Sequence, residues 1–148
     1  MNKLLFICIL SIGYCSVQAQ SLKPAEVPAA VSSVFKSNYP YATNAKWEME
    51  DGFYEVSFQN AKNDMSVLYS IKGELAMTET KCEISSLPPA IMEYFTKNIV
   101  GAKITDAAKL VDSQGIVSYE AEVNNADYLF TAGGQFLRKQ VDEDGDND

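Results

Sequence analysis

The sequence contains no histidine. Without it the usual zinc ligand sets, the Ser-His-Asp arrangement and general base catalysis by an imidazole have no residues to be built from. Basic residues are also scarce: 12 Lys and Arg stand against 20 Asp and Glu, for a formal net charge of −8. Binding to a phosphate backbone depends on clustered Lys and Arg that release counterions, so no nucleic acid partner is expected. An acidic surface of this kind also keeps an exported protein soluble. No apolar run approaches the roughly 20 residues that a membrane-spanning helix needs, so no membrane insertion is expected. Gly133-Gly134 is the only glycine pair, and it runs into a strand-like segment with no helix start and no Lys-Ser/Thr, so it is not a phosphate loop.

What apolar run there is lies at the start. Lys3 gives a positive n-region, Leu4 to Ile12 are apolar, and Val17-Gln18-Ala19 place small residues at −3 and −1 of a cleavage site. Residues 1–19 therefore read as a secretory signal peptide, with a mature N-terminus at Gln20 or Ser21 and a periplasmic or secreted destination. The alternative is a lipidated Cys15, where Tyr14 stands in place of the small residue normally found before such a cysteine. Cleavage after Ala19 of the 148-residue chain leaves 129 residues, enough for one domain, and removing Lys3 moves the formal charge from −8 to −9. Cys8 and Cys15 leave with the signal. Cys82 is then alone, no intrachain disulfide can form, and with no histidine beside it a buried inert thiol is expected.

The remainder says nearly the same thing twice. Val27-Pro28 opens a segment with Val31, Val34, Phe35, Asn38, Tyr39 and Ala42; Leu87-Pro88 opens another with Ile91, Tyr94, Phe95, Asn98, Ile99 and Ala102. Downstream, Tyr54-Glu55 is answered by Tyr119-Glu120, and the stretch from Tyr69 to Leu75 by that from Phe130 to Phe136. A repeat of this length is one supersecondary unit that needs its neighbour to complete a core. The spacing i, i+4, i+7, i+8 in each unit predicts a short helix with one apolar stripe, with Pro28 and Pro88 in the first turn and Ser86 as an N-cap. Period-2 alternation follows: Ala45, Trp47 and Met49; a turn at Asp51-Gly52; Tyr54, Val56 and Phe58; a polar loop from Asn60 to Asp64; then Met65, Val67, Tyr69 and Ile71, and a strand after Lys72-Gly73. In the second unit, Val117 to Val123, a loop at Asn124 to Asp127, Tyr128 to Ala132 and a strand near Phe136 repeat the scheme, while Ile104 to Asp112 alternates poorly.

These patterns predict an α+β fold of two tandem helix-plus-antiparallel-sheet repeats, about four strands each, with the helices packed on one face of the sheet. The expected organisation is a signal peptide at 1–19, a single domain at 20–141 made of two repeats (about 25–84 and 85–141), and a disordered acidic tail at 142–148. The tail resembles a calcium loop only in composition: Gly145 falls at the fourth position and no bidentate Glu follows, so no EF-hand cage closes. No cofactor and no metal are expected.

Two repeats opening on an apolar residue and Pro, each with a helix ending at Asn plus an aromatic or aliphatic residue, Tyr-Glu followed by apolar alternation, and a closing aromatic-x-x-x-Gly, resemble the secreted bacterial family described as β-lactamase-inhibitor-like, PepSY-like. The resemblance runs from Val27 to about Lys139. It implies tandem helix-plus-sheet units, a periplasmic or extracellular setting, and a role in binding or inhibiting other proteins, with no catalytic residues.

Strand parity separates two sets of side chains. Trp47, Tyr54, Phe58, Tyr69, Tyr119, Tyr128 and Phe130 share the helix-facing parity and are candidates for the core. Phe53, Leu68 and Leu129 have the opposite parity, among Glu55, Glu120 and Glu122. Apolar side chains on a face otherwise carrying carboxylates point to a recognition patch. The carboxylates themselves read as solvated strand residues rather than as an acid/base pair. Phe53, Glu55, Leu68, Glu120, Glu122 and Leu129 are thus the expected contacts of an envelope or extracellular protein, and the chain is expected to be a non-enzymatic binding module. The alternative is a carrier of a small molecule or metal ion, with its pocket between helices and sheet.

Overall fold

The computed structural model describes residues 20–50 and 52–141. The signal segment, Asp51 of the first turn and the acidic tail lie outside the described residues. In chain order the elements are β1 (Gln20–Leu22), α1 (Ala29–Asn38), β2 (Thr43–Glu50), β3 (Phe53–Asn60), β4 (Asn63–Tyr69), β5 (Leu75–Lys81), α2 (Pro89–Asn98), β6 (Ile104–Asp112), β7 (Val117–Val123), β8 (Ala126–Thr131) and β9 (Phe136–Val141). A turn of 3₁₀ helix precedes each α-helix, at Pro24–Glu26 and Ile84–Ser86.

The fold differs from the α+β class expected from the sequence. Among the described residues nine strands join one antiparallel sheet in the order β1 to β9, with two ten-residue α-helices, in place of two tandem α+β repeats of a helix and about four strands each. The sheet is continuous because β5 and β6 pair with each other, from Met77 opposite Asp112 to Lys81 opposite Ala108. Leaving both as edges would expose two rows of unpaired N–H and C=O groups. At the other end β1 adds a strand that hydrophobic alternation does not signal, pairing Gln20, Ser21 and Leu22 with Met49, Glu48 and Trp47.

Each helix is amphipathic and docks through two buried residues per ten. Val31 and Phe35 of α1 pack with Trp47, Tyr54, Val56, Phe58, Val67 and Tyr69; Ile91 and Phe95 of α2 pack with Ala107, Ala121, Val123, Ala126, Tyr128 and Phe130. The register carries both clusters onto the same side of the sheet: Val67 lies opposite Thr78, Thr78 opposite Val111, Val111 opposite Val117, and from there parity leads to Ala121 and Val123. Edge-to-face rings fill the space beneath each helix, with Phe35 and Phe58 centred 5.0 Å apart and Tyr94 and Phe130 5.3 Å apart. Tyr119, expected in the core, is half-buried at the edge of the second cluster, as is Cys82.

Local chemistry sets the ends of the elements somewhat differently from expectation. Pro28 and Pro88 are the N-caps of α1 and α2. Ser86 therefore does not cap α2; its hydroxyl closes the preceding 3₁₀ turn by donating to the Glu83 carbonyl oxygen. The loop expected at Asn60 to Asp64 tightens to Ala61 and Lys62, since Asn60 and Asn63 already pair. Likewise Asn124 and Asn125, both at positive φ, form the whole β7–β8 turn, in keeping with the tolerance of asparagine for left-handed backbone.

Candidate functional site

The face of the sheet turned away from the helices carries all six residues expected to meet a partner. Phe53, Glu55, Leu68, Glu120, Glu122 and Leu129 are each half-buried there. The register brings them together in two groups. Glu55 lies opposite Leu68 on the β3–β4 ladder with Phe53 two residues away, and Glu120 lies opposite Leu129 on the β7–β8 ladder. Between the groups run β5 and β6, roughly 4.8 Å from each neighbouring strand.

Those two central strands supply what the sequence did not single out. Met77 lies opposite Leu68 and continues its apolar surface across the sheet. Leu110 is 4% exposed and Ala108 5% exposed, although neither faces the helices. Strand β6 is therefore buried from both sides, with Ala107 under α2 and Ala108 and Leu110 beneath the open face. That explains why its sequence alternates poorly. The middle of the open face is crowded enough to bury apolar side chains.

One row of side chains crosses this centre directly. Lys46 lies opposite Ser57, Ser57 opposite Ser66, Ser66 opposite Glu79, Glu79 opposite Leu110, and Leu110 opposite Ser118. A cleft of about 340 Å³ opens over it, lined among others by Lys46, Glu55, Ser57, Ser66, Glu79 and Lys81. A smaller one of about 50 Å³ adjoins it through Glu79 and is bounded by Asp106, Ala108, Glu120, Glu122 and Asp127. Lys81 is held by an ion pair to Asp106. That hydrogen bond is the main cause of the raised pKa of the lysine. Glu79 is also raised: burial is the largest cause, Glu55 and Asp127 add to it, Lys81 opposes it, and Asp106 adds a little more.

Among the described side chains, two buried hydroxyls lack a hydrogen-bond partner, those of Tyr69 and Ser66. Tyr69 belongs to the helix face, where burial raises its pKa while Asn38 stands close enough to oppose the rise without reaching good hydrogen-bond geometry. The Ser66 hydroxyl is on the open face, opposite Ser57 and Glu79, without a hydrogen bond to either. Ser66 is 7% exposed, its hydroxyl oxygen is itself buried, and the residue lines the larger cleft.

No set of three or more Cys, Asp and Glu side chains among the described residues is arranged to hold a metal ion. No described helix is long and apolar enough to cross a membrane. The arrangement can present carboxylates, hydroxyls and scattered apolar groups to another molecule.

Solved structures share this architecture, among them the following two. A BLIP-like protein from Bacteroides fragilis is 26% identical, with a TM-score of 0.61 over 82% of this chain and 91% of that one. A protein from Bacteroides eggerthii described as "putative periplasmic" is 20% identical, with a TM-score of 0.67 over 77% of this chain and 88% of that one. The periplasmic or secreted destination expected from the N-terminal segment is compatible with that description. No protein of curated function matches the sequence. The family described as "Putative beta-lactamase-inhibitor-like, PepSY-like" matches twice, over residues 14–77 and 62–138, and the chain belongs to that family.

Proposed function

We propose that this protein is a non-enzymatic binding module of the periplasm that docks a protein partner on the open face of its sheet. The observation that carries the reading is the burial pattern of that face. Phe53, Leu68, Met77, Leu110 and Leu129 are gathered on the side away from the helices, where neither helix covers them. Half-buried apolar side chains ringed by Glu55, Glu120 and Glu122 have the composition of an interface, with anchors at the centre and a polar rim. The alternative, a carrier with its pocket between helices and sheet, has less support, because that space is filled by ring packing around Phe35, Phe58, Tyr94 and Phe130. The absence of histidine and the family description favour binding over catalysis.

Serine substitutions at Phe53, Leu68 and Leu129 test the reading. Each variant is expected to keep a melting transition close to the parent. A partner captured by the parent from periplasmic extract is expected to lose affinity by about 2 kcal/mol at a true anchor. Capture that survives all three substitutions, or unfolding by any of them, would remove this face from the function.

A further inference from the structure

The larger cleft on the open face is built against the interests of the isolated monomer. Ser66 is more than nine-tenths buried, and its hydroxyl has no partner. A buried hydroxyl left unpaired is destabilising, and such groups in native proteins call for an explanation. Directly opposite it, at a separation of about 5 Å between Cβ atoms for paired strand residues, stands Glu79. This is a carboxylate on a central strand, crowded by Glu55 and Asp127, where an apolar residue such as its neighbour Leu110 would be better accommodated. Conflicts of this kind between local chemistry and stability concentrate at functional sites.

Both conflicts are relieved by the same visitor. The cleft lining contains three carboxylates, Glu55, Asp64 and Glu79, and two ammonium groups, Lys46 and Lys81. Lys81 is neutralised by Asp106, which leaves the cleft negative. The acidic wall continues through Glu79 into the adjoining cleft with Glu120, Glu122 and Asp127. We propose that this cleft is a pocket for one arginine side chain of the docked protein, with the guanidinium seated between Glu79 and Glu55 and donating to the Ser66 hydroxyl. A planar guanidinium offers five donors and sheds water more easily than an ammonium group, so it can serve a carboxylate and a hydroxyl together. Exposed Lys46, on β2, stands at the margin and favours a group that enters over the β4–β5 side. The inference rests on the reading of this face as a docking surface and adds the chemistry of the segment that reaches it.

The pocket is tested with a small probe in place of the partner. N-acetylarginine amide is titrated into the intact isotope-labelled protein, with the lysine, norleucine and glutamine analogues as controls, while backbone amides and side-chain carboxyl carbons are followed by NMR. Saturable shifts centred on Ser57, Ser66 and Glu79 are expected for arginine, together with a fall in the pKa of Glu79 when the probe is bound. Glu79→Gln should weaken the arginine affinity by about tenfold or more, the usual consequence of losing one charge-assisted hydrogen bond. Ser66→Ala should weaken it as well while leaving the melting temperature unchanged or raised, which a purely structural hydroxyl could not do. No saturable shift, shifts spread evenly over the acidic surface, or equal binding of the lysine or norleucine analogue would overturn the assignment. Because no partner is used, failure here leaves the docking face standing, and failure of the serine variants above leaves the pocket to be judged by the probe.

Discussion

A methyl group placed on Gly134 would lie 2.7 Å from the Cβ of Ala90 in α2, closer than side-chain carbons approach one another. Gly134 sits in the β8–β9 turn at φ +82, and Gly73 holds the equivalent place at φ +81 in the β4–β5 turn, 3.0 Å from the Ala30 carbonyl oxygen by the same construction. These are the points where each helix rests on the sheet. Gly134→Ala is expected to cost about 1–2 kcal/mol for left-handed backbone and a further 1–3 kcal/mol for overpacking. Gly115→Ala, at φ +80 with open space around it, should show the first cost alone. Urea denaturation of the two variants checks the difference; equal losses would mean that the helix is free to move away from the turn.

The two helices should be equally dependent on their central phenylalanines. Phe35 is 6% exposed and Phe95 3% exposed, and both are surrounded by rings. Phe35→Ala and Phe95→Ala are each expected to lose roughly 3–5 kcal/mol, the usual range for deleting a buried aromatic ring. A loss within about 0.5 kcal/mol for either would place that residue at the surface.

The helix stripes were legible because Val31 with Phe35, and Ile91 with Phe95, keep a fixed spacing that only a helix can turn to one side. Trp47, Tyr54 and Phe58 were legible as core for the corresponding reason in strands. Strand β6 was not, since Ala107, Ala108 and Leu110 are buried on opposite faces and erase the alternation. Nor was β1, which is three residues long and held by backbone pairing, with Gln20 and Ser21 exposed. Parity alone brought Phe53, Leu68 and Leu129 to one face. Ser66 and Glu79 carry no distinguishing signal in the sequence, and only the β4–β5 register makes them neighbours in the lining of a cleft.

The raised pKa of Glu79 makes stability depend on pH in a direction opposite to that of an ion-paired carboxylate. Burial and the charges of Glu55 and Asp127 disfavour its ionised form in the folded protein more than in the unfolded chain. The folded state then holds the proton more tightly. Below the ordinary carboxyl pKa both states are protonated and Glu79 imposes no electrostatic penalty. As pH rises through the elevated folded-state value, the unfolded chain has already ionised, and the folded protein must carry a crowded charge. Glu79→Gln removes that charge while keeping the shape. It is therefore expected to stabilise the protein at neutral pH and to make little difference at a pH below the ordinary carboxyl range. Thermal melts of parent and variant across the acidic to neutral range measure this directly, as a gap that opens with rising pH. A gap that is constant with pH would mean that Glu79 titrates normally, and a destabilised variant at neutral pH would mean that the carboxylate is satisfied by a partner within the fold.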